Sequence, residues 1–405
     1  MNSFLERLYM PIINWIKVGV IWLADTINLC WDPFNDGRNN VVATTNLHDL
    51  EALFAADLEA RFMQPTGEFF YQIPMPSDSG DTALFQGLAT AYKIMKGDDV
   101  TSQFAYLSKL FVNGVLVRGQ YADGTYNDTT SNDSATGMIM FFYAALRWGT
   151  NDVRTKAGAL LRLWINSLIA HNGALVDLQG NPTTYGQLDN GWLTDPLRIT
   201  DYLAILMLGM TYDSTNVAAH DEYARVFNLY KPILPYPKVK LLWWNTDYDT
   251  HRAAIHLHVL YNLTGEDIYK KGLQRIWRIT HKENNAWVYV LCRDALDVKD
   301  DALVGRVLGT FDFARRQLGD VQSINDDQPS VNWPPNFPSW LSFLGTTQKR
   351  CRYALPFYKR GSQDFFWQRC MFSLNEWVGV TKADTYHSGL DILICGWMAS
   401  RLGIL

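Results

Sequence analysis

Six stretches of this chain are apolar on nearly every face, and six amphipathic stretches alternate with them. Two of the apolar stretches are near copies: "SGDTALFQGLATAYKIMKG" from Ser79 and "SNDSATGMIMFFYAALRWG" from Ser131. Each opens Ser-x-Asp and closes on Gly 16 residues after the Asp, at Gly97 and Gly149. "DTHRAAIHLHVLYNLTG" keeps that interval from Asp249 to Gly265. Weaker versions follow as "TDYLAILMLGMTY" from Thr200, "NAWVYVLCRDALDV" from Asn285 and "HSGLDILICGWMASRLG" from His387. A helix that is apolar all round has to be buried all round.

The segments between them read differently. "LHDLEALFAADLEARF", "TSQFAYLSKLFV", "DVRTKAGALLRLWINSLIA", "AAHDEYARVFNLY", "EDIYKKGLQRIWRITHK" and "DALVGRVLGTFDFARRQLG" place apolar residues at three- and four-residue intervals. That is the mark of a half-exposed helix. The pattern predicts an all-α fold in which six inner helices alternate with six outer ones over residues 46–405. Such an array closes into an (α/α)6 toroid, with an open solenoid as the competing arrangement. In a toroid all inner helices point the same way, so their N-termini surround one mouth. The connections into them (64–80, 114–132, 171–199, 231–248 and 319–386) are long, while turns such as "GDDV" and "GTND" are short. Long loops gathered at one rim are where a cleft is built.

Those loops carry acids and aromatics. Aromatic residues are 14% of the chain, and many Trp and Tyr lie in loops with Pro or Gly. Sugar clefts use such rings because the C–H face of a pyranose stacks on them while its hydroxyls seek polar partners. Glycoside cleavage needs one carboxylic acid held protonated and a second carboxylate as base or nucleophile. Aromatic walls and neighbouring carboxylates raise a carboxyl pKa. Asp195 near Trp192, Asp249 behind Trp243 and Trp244, and Glu376 beside Trp377 have such surroundings, and Asp81 and Asp133 open the two near-copied helices. Arg118, Arg198, Tyr126, Asn245, His251 and Trp333 are the further candidates for holding substrate. An elimination would instead need a Tyr or His base, for which Tyr386 and His387 are candidates. Each residue also has a plainer reading. Asp at a helix start is a favoured N-cap, worth about 1 kcal/mol; Arg118 and Arg198 can pair with nearby Asp; His256 and His258 read as satisfied core histidines. No metal or cofactor is expected.

The repeated "SGDTALFQGLATAYKIMKG" and "SNDSATGMIMFFYAALRWG" units, with acidic and aromatic loops at one rim, resemble the (α/α)6-toroid superfamily of glycan-processing enzymes over residues 46–405. The resemblance is one of architecture and carries no single catalytic signature. It implies a sugar-binding cleft at the loop-rich end and glycoside hydrolase activity. The alternatives are a polysaccharide lyase, or a non-catalytic carbohydrate-binding or structural protein on the same scaffold.

Residues 1–45 stand apart. "YMPIINWIKVGVIWLADTINLCW" is apolar but broken by Lys17 and Asp25. It has neither the form of a secretory signal nor that of a membrane span. It reads as an amphipathic segment that docks on a partner protein or on the main domain, with membrane-surface attachment as the alternative. Five scattered Cys without a CxxC pair read as free thiols of a protein made in a reducing cytoplasm. The net charge of -5 argues against a nucleic-acid surface. These features together fit a virion-associated phage polysaccharide depolymerase whose N-terminal segment seats in the tail.

Overall fold

The computed structural model describes residues 12–20, 22, 47–73, 75, 80–189, 196–237, 247–281, 285–308, 330–333, 348–351 and 386–405. The fold is all-α, with a few short strands. Beyond residues 12–20, twelve helices are described: α1 Leu47–Asp57, α2 Thr82–Lys96, α3 Thr101–Lys109, α4 Asn132–Trp148, α5 Asn151–Ala170, α6 Pro196–Tyr212, α7 Val217–Tyr230, α8 Asp247–Thr264, α9 Asp267–Thr280, α10 Ala286–Cys292, α11 Ala302–Leu308 and α12 Leu390–Arg401.

The even-numbered helices form the core, in accord with their apolar composition. All of α2 except Lys96 is buried, as is all of α10. α2 packs on α4, α4 on α6, α6 on α8, α8 on α10 and α10 on α12, and α12 returns to α2. The odd-numbered helices lie against this set: α5 touches α4 and α6, α9 touches α8 and α10, α11 touches α10 and α12, and α1 touches α12. α5 buries one stripe, Ala157, Leu161, Trp164, Ile165 and Leu168, and leaves the rest of its 20 residues half-buried or exposed. Its first turn is capped by Thr150, whose hydroxyl accepts the Val153 N–H at 3.3 Å. Connections from an even helix to the next odd one are short, as at 97–100, 149–150, 213–216 and 265–266. Gly97 and Gly265 make two of these turns with left-handed φ angles of 92° and 69°.

The α2–α4 crossing is closest at Gly87 and Gly137. A Cβ on Gly137 would overlap the backbone carbonyl of Leu84, and one on Gly87 would overlap the carbonyl of Gly137. Backbone cannot swing aside as a side-chain tip can. Gly137→Ala is therefore expected to cost about 3 kcal/mol, read as a lowered denaturant midpoint; unchanged stability would show that the helices do not meet there.

Two sequence expectations are corrected. "TSQFAYLSKLFV" is not helical to its end: α3 stops at Lys109, and Phe111–Val112 form β2, paired antiparallel with β3 (Val115–Leu116). The Asn113-Gly114 turn between them has φ angles of 52° and 84°, the turn that Asn-Gly favours in a tight hairpin. "NAWVYVLCRDALDV" yields a helix only to Cys292, then a single 3-10 turn over Arg293–Ala295. Hairpins β4–β5 (Gly119–Gln120 with Tyr126–Asn127) and β6–β7 (Ala174–Val176 with Pro182–Gln187) stand in the long connections into α4 and α6.

Residues 12–20 are helical and dock on the rest of the chain through the buried Asn14, whose Nδ2 donates to the Leu229 carbonyl at 2.7 Å. Ile12, Trp15, Ile16 and Val20 of this helix, and Trp22 beyond it, are exposed. Among the described residues no helix is long and apolar enough to cross a membrane. Cys292 and Cys395 are buried free thiols, and burial pushes both thiols up from their ordinary range.

Candidate functional site

Asp133, Asp201 and Asp249 come from three different helices and meet at one guanidinium. Arg252, on the second turn of α8, is 2% exposed. Its Nη1 lies 2.7 Å from Oδ1 of Asp133 and 3.5 Å from Oδ1 of Asp249, and its Nη2 lies 3.2 Å from Oδ2 of Asp201. Its Nε donates to Thr136 Oγ1 at 3.0 Å. The sequence arranges this on α8 by spacing: Asp249, Arg252 and His256 sit at i, i+3 and i+7, on one face of a helix. The facing groups come from the first two turns of α4 (Asp133, Thr136) and the second turn of α6 (Thr200, Asp201).

Below Arg252 lies a fully buried pair. His256 Nε2 is 2.8 Å from Oδ1 of Asp201 and 3.0 Å from Thr136 Oγ1. Its Nδ1 is 3.2 Å from Thr200 Oγ1. On the neighbouring side, Asn285 caps α10 by accepting the N–H groups of Trp287 and Val288. That fixes its amide so that Nδ2 faces His251 Nε2 at 3.2 Å. His251 Nε2 therefore accepts from the Asn285 amide.

Asp81 stands at the N-cap of α2 without capping it. The Ala83 N–H is taken instead by the Arg118 carbonyl at 2.8 Å, and the Asp81 carboxylate turns to Arg118 Nη2 at 2.6 Å. Asp133 caps nothing either; Ser131 is the N-cap residue of α4 and makes no side-chain cap bond. The capping expected of these two acids is thus replaced by lateral pairing with arginines.

The electrostatics separate the acids. Burial raises the Asp133 carboxyl above its ordinary range; Arg252 opposes this, and Asp81, Asp249 and Asp201 reinforce it. Both candidate oxygens, on Asp133 and Asp249, lie within 3.5 Å of the same nitrogen. They are therefore closer than about 7 Å, short of the upper end of the about 5–9.5 Å that pairs of glycosidase carboxylates cover. A carboxyl raised by burial beside a second acid is the kind of pairing that acid–base chemistry uses.

The remaining candidates fall as follows. Arg198 Nη1 donates to the Gln187 carbonyl at 3.2 Å, tying the first turn of α6 to β7. Tyr126 is half-buried in β5. Tyr386 and His387 form β10, paired with β1 (Gln72–Ile73), and Trp333 lies in β8 (Ser330–Trp333), opposite Gln348 of β9 (Gln348–Cys351). Asp195, Trp192, Trp243, Trp244, Asn245, Glu376 and Trp377 lie outside the described residues. Sequence reading did not single out Asp201 or Thr200, and took His256 for a satisfied core histidine. It is satisfied, by Asp201 and by the hydroxyls of Thr136 and Thr200. The signal available was the presence of Asp201, Arg252 and His256 inside otherwise apolar segments, where a charge has to find a partner.

No protein-family model, curated protein or solved structure matches this chain.

Proposed function

We propose that the chain is an (α/α)6 toroid whose even-numbered helices form the inner ring, and that it cleaves glycans as a glycoside hydrolase. The return of α12 to α2 supports the ring. The observation that carries the chemistry is the convergence of Asp133 and Asp249 on Arg252, with the Asp133 carboxyl raised by its surroundings. In this reading Asp133 gives its proton to the glycosidic oxygen as the C–O bond breaks. The Asp249 carboxylate acts at the anomeric carbon, as nucleophile or as base toward water. Arg252 holds the two carboxyl groups in register, and Asp81 with Arg118 borders them. Aromatic side chains of the rim, Tyr126 among them, supply the stacking surface. The exposed apolar residues of the N-terminal helix supply a face for a protein partner, as a virion component needs.

The engagement of the basic groups favours hydrolysis over β-elimination. A lyase needs a free base and a cation to neutralise a uronate. Here the Nε2 lone pair of His251 is occupied by Asn285, and the Arg118 and Arg252 guanidinium groups face carboxylates. Incubation with a panel of acidic and neutral bacterial polysaccharides tests the reading. New reducing ends without an ultraviolet-absorbing double bond are expected. A double bond would replace the hydrolase with a lyase, and retarded migration in a glycan gel without cleavage would make the chain a binding protein.

A further inference from the structure

The hydrogen bonds around His256 fix where its protons are. Thr200 has one hydroxyl proton and gives it to the Leu197 carbonyl at 2.7 Å. The same oxygen, 3.2 Å from His256 Nδ1, is left to accept, so Nδ1 carries a proton. On the other side, Nε2 stands 2.8 Å from a carboxylate oxygen of Asp201. Two lone pairs at that distance repel, so a proton lies between them. Arg252, 3.2 Å from the other Asp201 oxygen, favours the carboxylate and keeps that proton on the ring.

We propose that His256 is a buried imidazolium and a positioning residue of this site, one whose charge, together with that of Arg252, offsets the negative charge of the Asp133, Asp201 and Asp249 cluster. Among the described residues two cations, Arg252 and His256, face the three acids Asp133, Asp201 and Asp249. Asp81 is paired separately with Arg118. The charged groups around His256 come from every side that bears them: Asp201 from α6, Arg252 and Asp249 from α8 itself, and Asp133 from α4. α9 and α10 also pack on α8 but contribute no hydrogen bond or ion pair to this ring among the described residues. The protonation of His256 stands on hydrogen bonds alone; its role toward Asp133 rests on the acid–base reading above.

Nitrogen-15 spectra of the imidazole groups in the full-length protein decide the first part. The His256 signals are assigned by their loss in His256→Gln. Both ring nitrogens are expected to be protonated at about pH 7.5, where an ordinary histidine is mostly neutral; a bare nitrogen there overturns the imidazolium. The carbon-13 carboxyl titration of Asp133 decides the second part. In His256→Gln an amide still reaches Asp201 but brings no charge, so the Asp133 midpoint should rise. An unchanged or lowered midpoint overturns the positioning role. If His256→Gln does not fold, Thr200→Val removes only the Nδ1 acceptor and is expected to shift Asp133 the same way. Neither measurement uses catalysis, so a chain that cleaves no polysaccharide leaves this inference standing, and a neutral His256 leaves the glycan reading standing.

Discussion

Arg252→Met should cost the fold about 3 kcal/mol at neutral pH, the low end of the penalty for stripping the cation from buried acids. The low end applies because Asp201 is buried while Asp133 and Asp249 are partly exposed. Methionine matches the length of the arginine stem, so packing changes little, while Asp133, Asp201 and Asp249 lose their common partner. The pH dependence gives the mechanism its sign. The folded-state value of Asp133 is raised, so the native state holds a proton that the unfolded chain releases. Stability from this group is full below the ordinary carboxylate range and is lost as pH climbs through the raised value. Arg252 opposes that rise, so removing it extends the loss to higher pH. The gap between parent and variant should therefore be widest near neutrality and should narrow toward about pH 4, where carboxyl groups take up protons in both states. Denaturant titrations at several pH values read this directly. A gap that widens toward acid would mean that Arg252 is not the keystone of an acid cluster. Arg252→Lys should recover only part of the loss, because one ammonium cannot span three carboxylates as a planar fork does.

The helical frame was legible because it depends on local pattern. Segments apolar on every face became the buried helices α2, α4, α6, α8, α10 and α12, and the amphipathic ones became the half-exposed helices between them. What local pattern missed was competition. The Phe111–Val112 pair had a helical spacing, but the Asn-Gly that follows it closes a hairpin, and the strand won. At Asp81 the sequence showed a helix start and a cap residue. It did not show that Arg118, 37 residues later, would bring a carbonyl to the first turn and a guanidinium to the carboxylate. The same holds for the centre of the cluster. Asp201 and Arg252 are 51 positions apart, and nothing near either residue announces the other. Their meeting is a property of how α6 lies on α8, which only tertiary packing decides.

Asp133→Asn separates function from stability in one variant. As the proton donor, Asp133 is expected to contribute about 10²–10⁴-fold to cleavage of an active polysaccharide, the range for a positioned general acid. Asparagine keeps the shape and hydrogen-bonding reach but has no proton to give. The same change should leave the fold intact or firmer at neutral pH. Ionising Asp133 is opposed by burial and by three neighbouring carboxylates, and an amide avoids that cost while Arg252 keeps Asp201 and Asp249. Loss of rate with gain of stability is the behaviour of a residue retained for chemistry. A purely structural aspartate would show the opposite pair: rate within about threefold of the parent, under about 0.7 kcal/mol in barrier, and a fold weakened by loss of its ion pair. Asp249→Asn provides the contrast, because its carboxylate has no proton to donate in this scheme. It should also lose rate, but the alkaline limb of the remaining activity should still follow Asp133. Should that limb vanish with Asp249 and persist in Asp133→Asn, the two acids have exchanged roles.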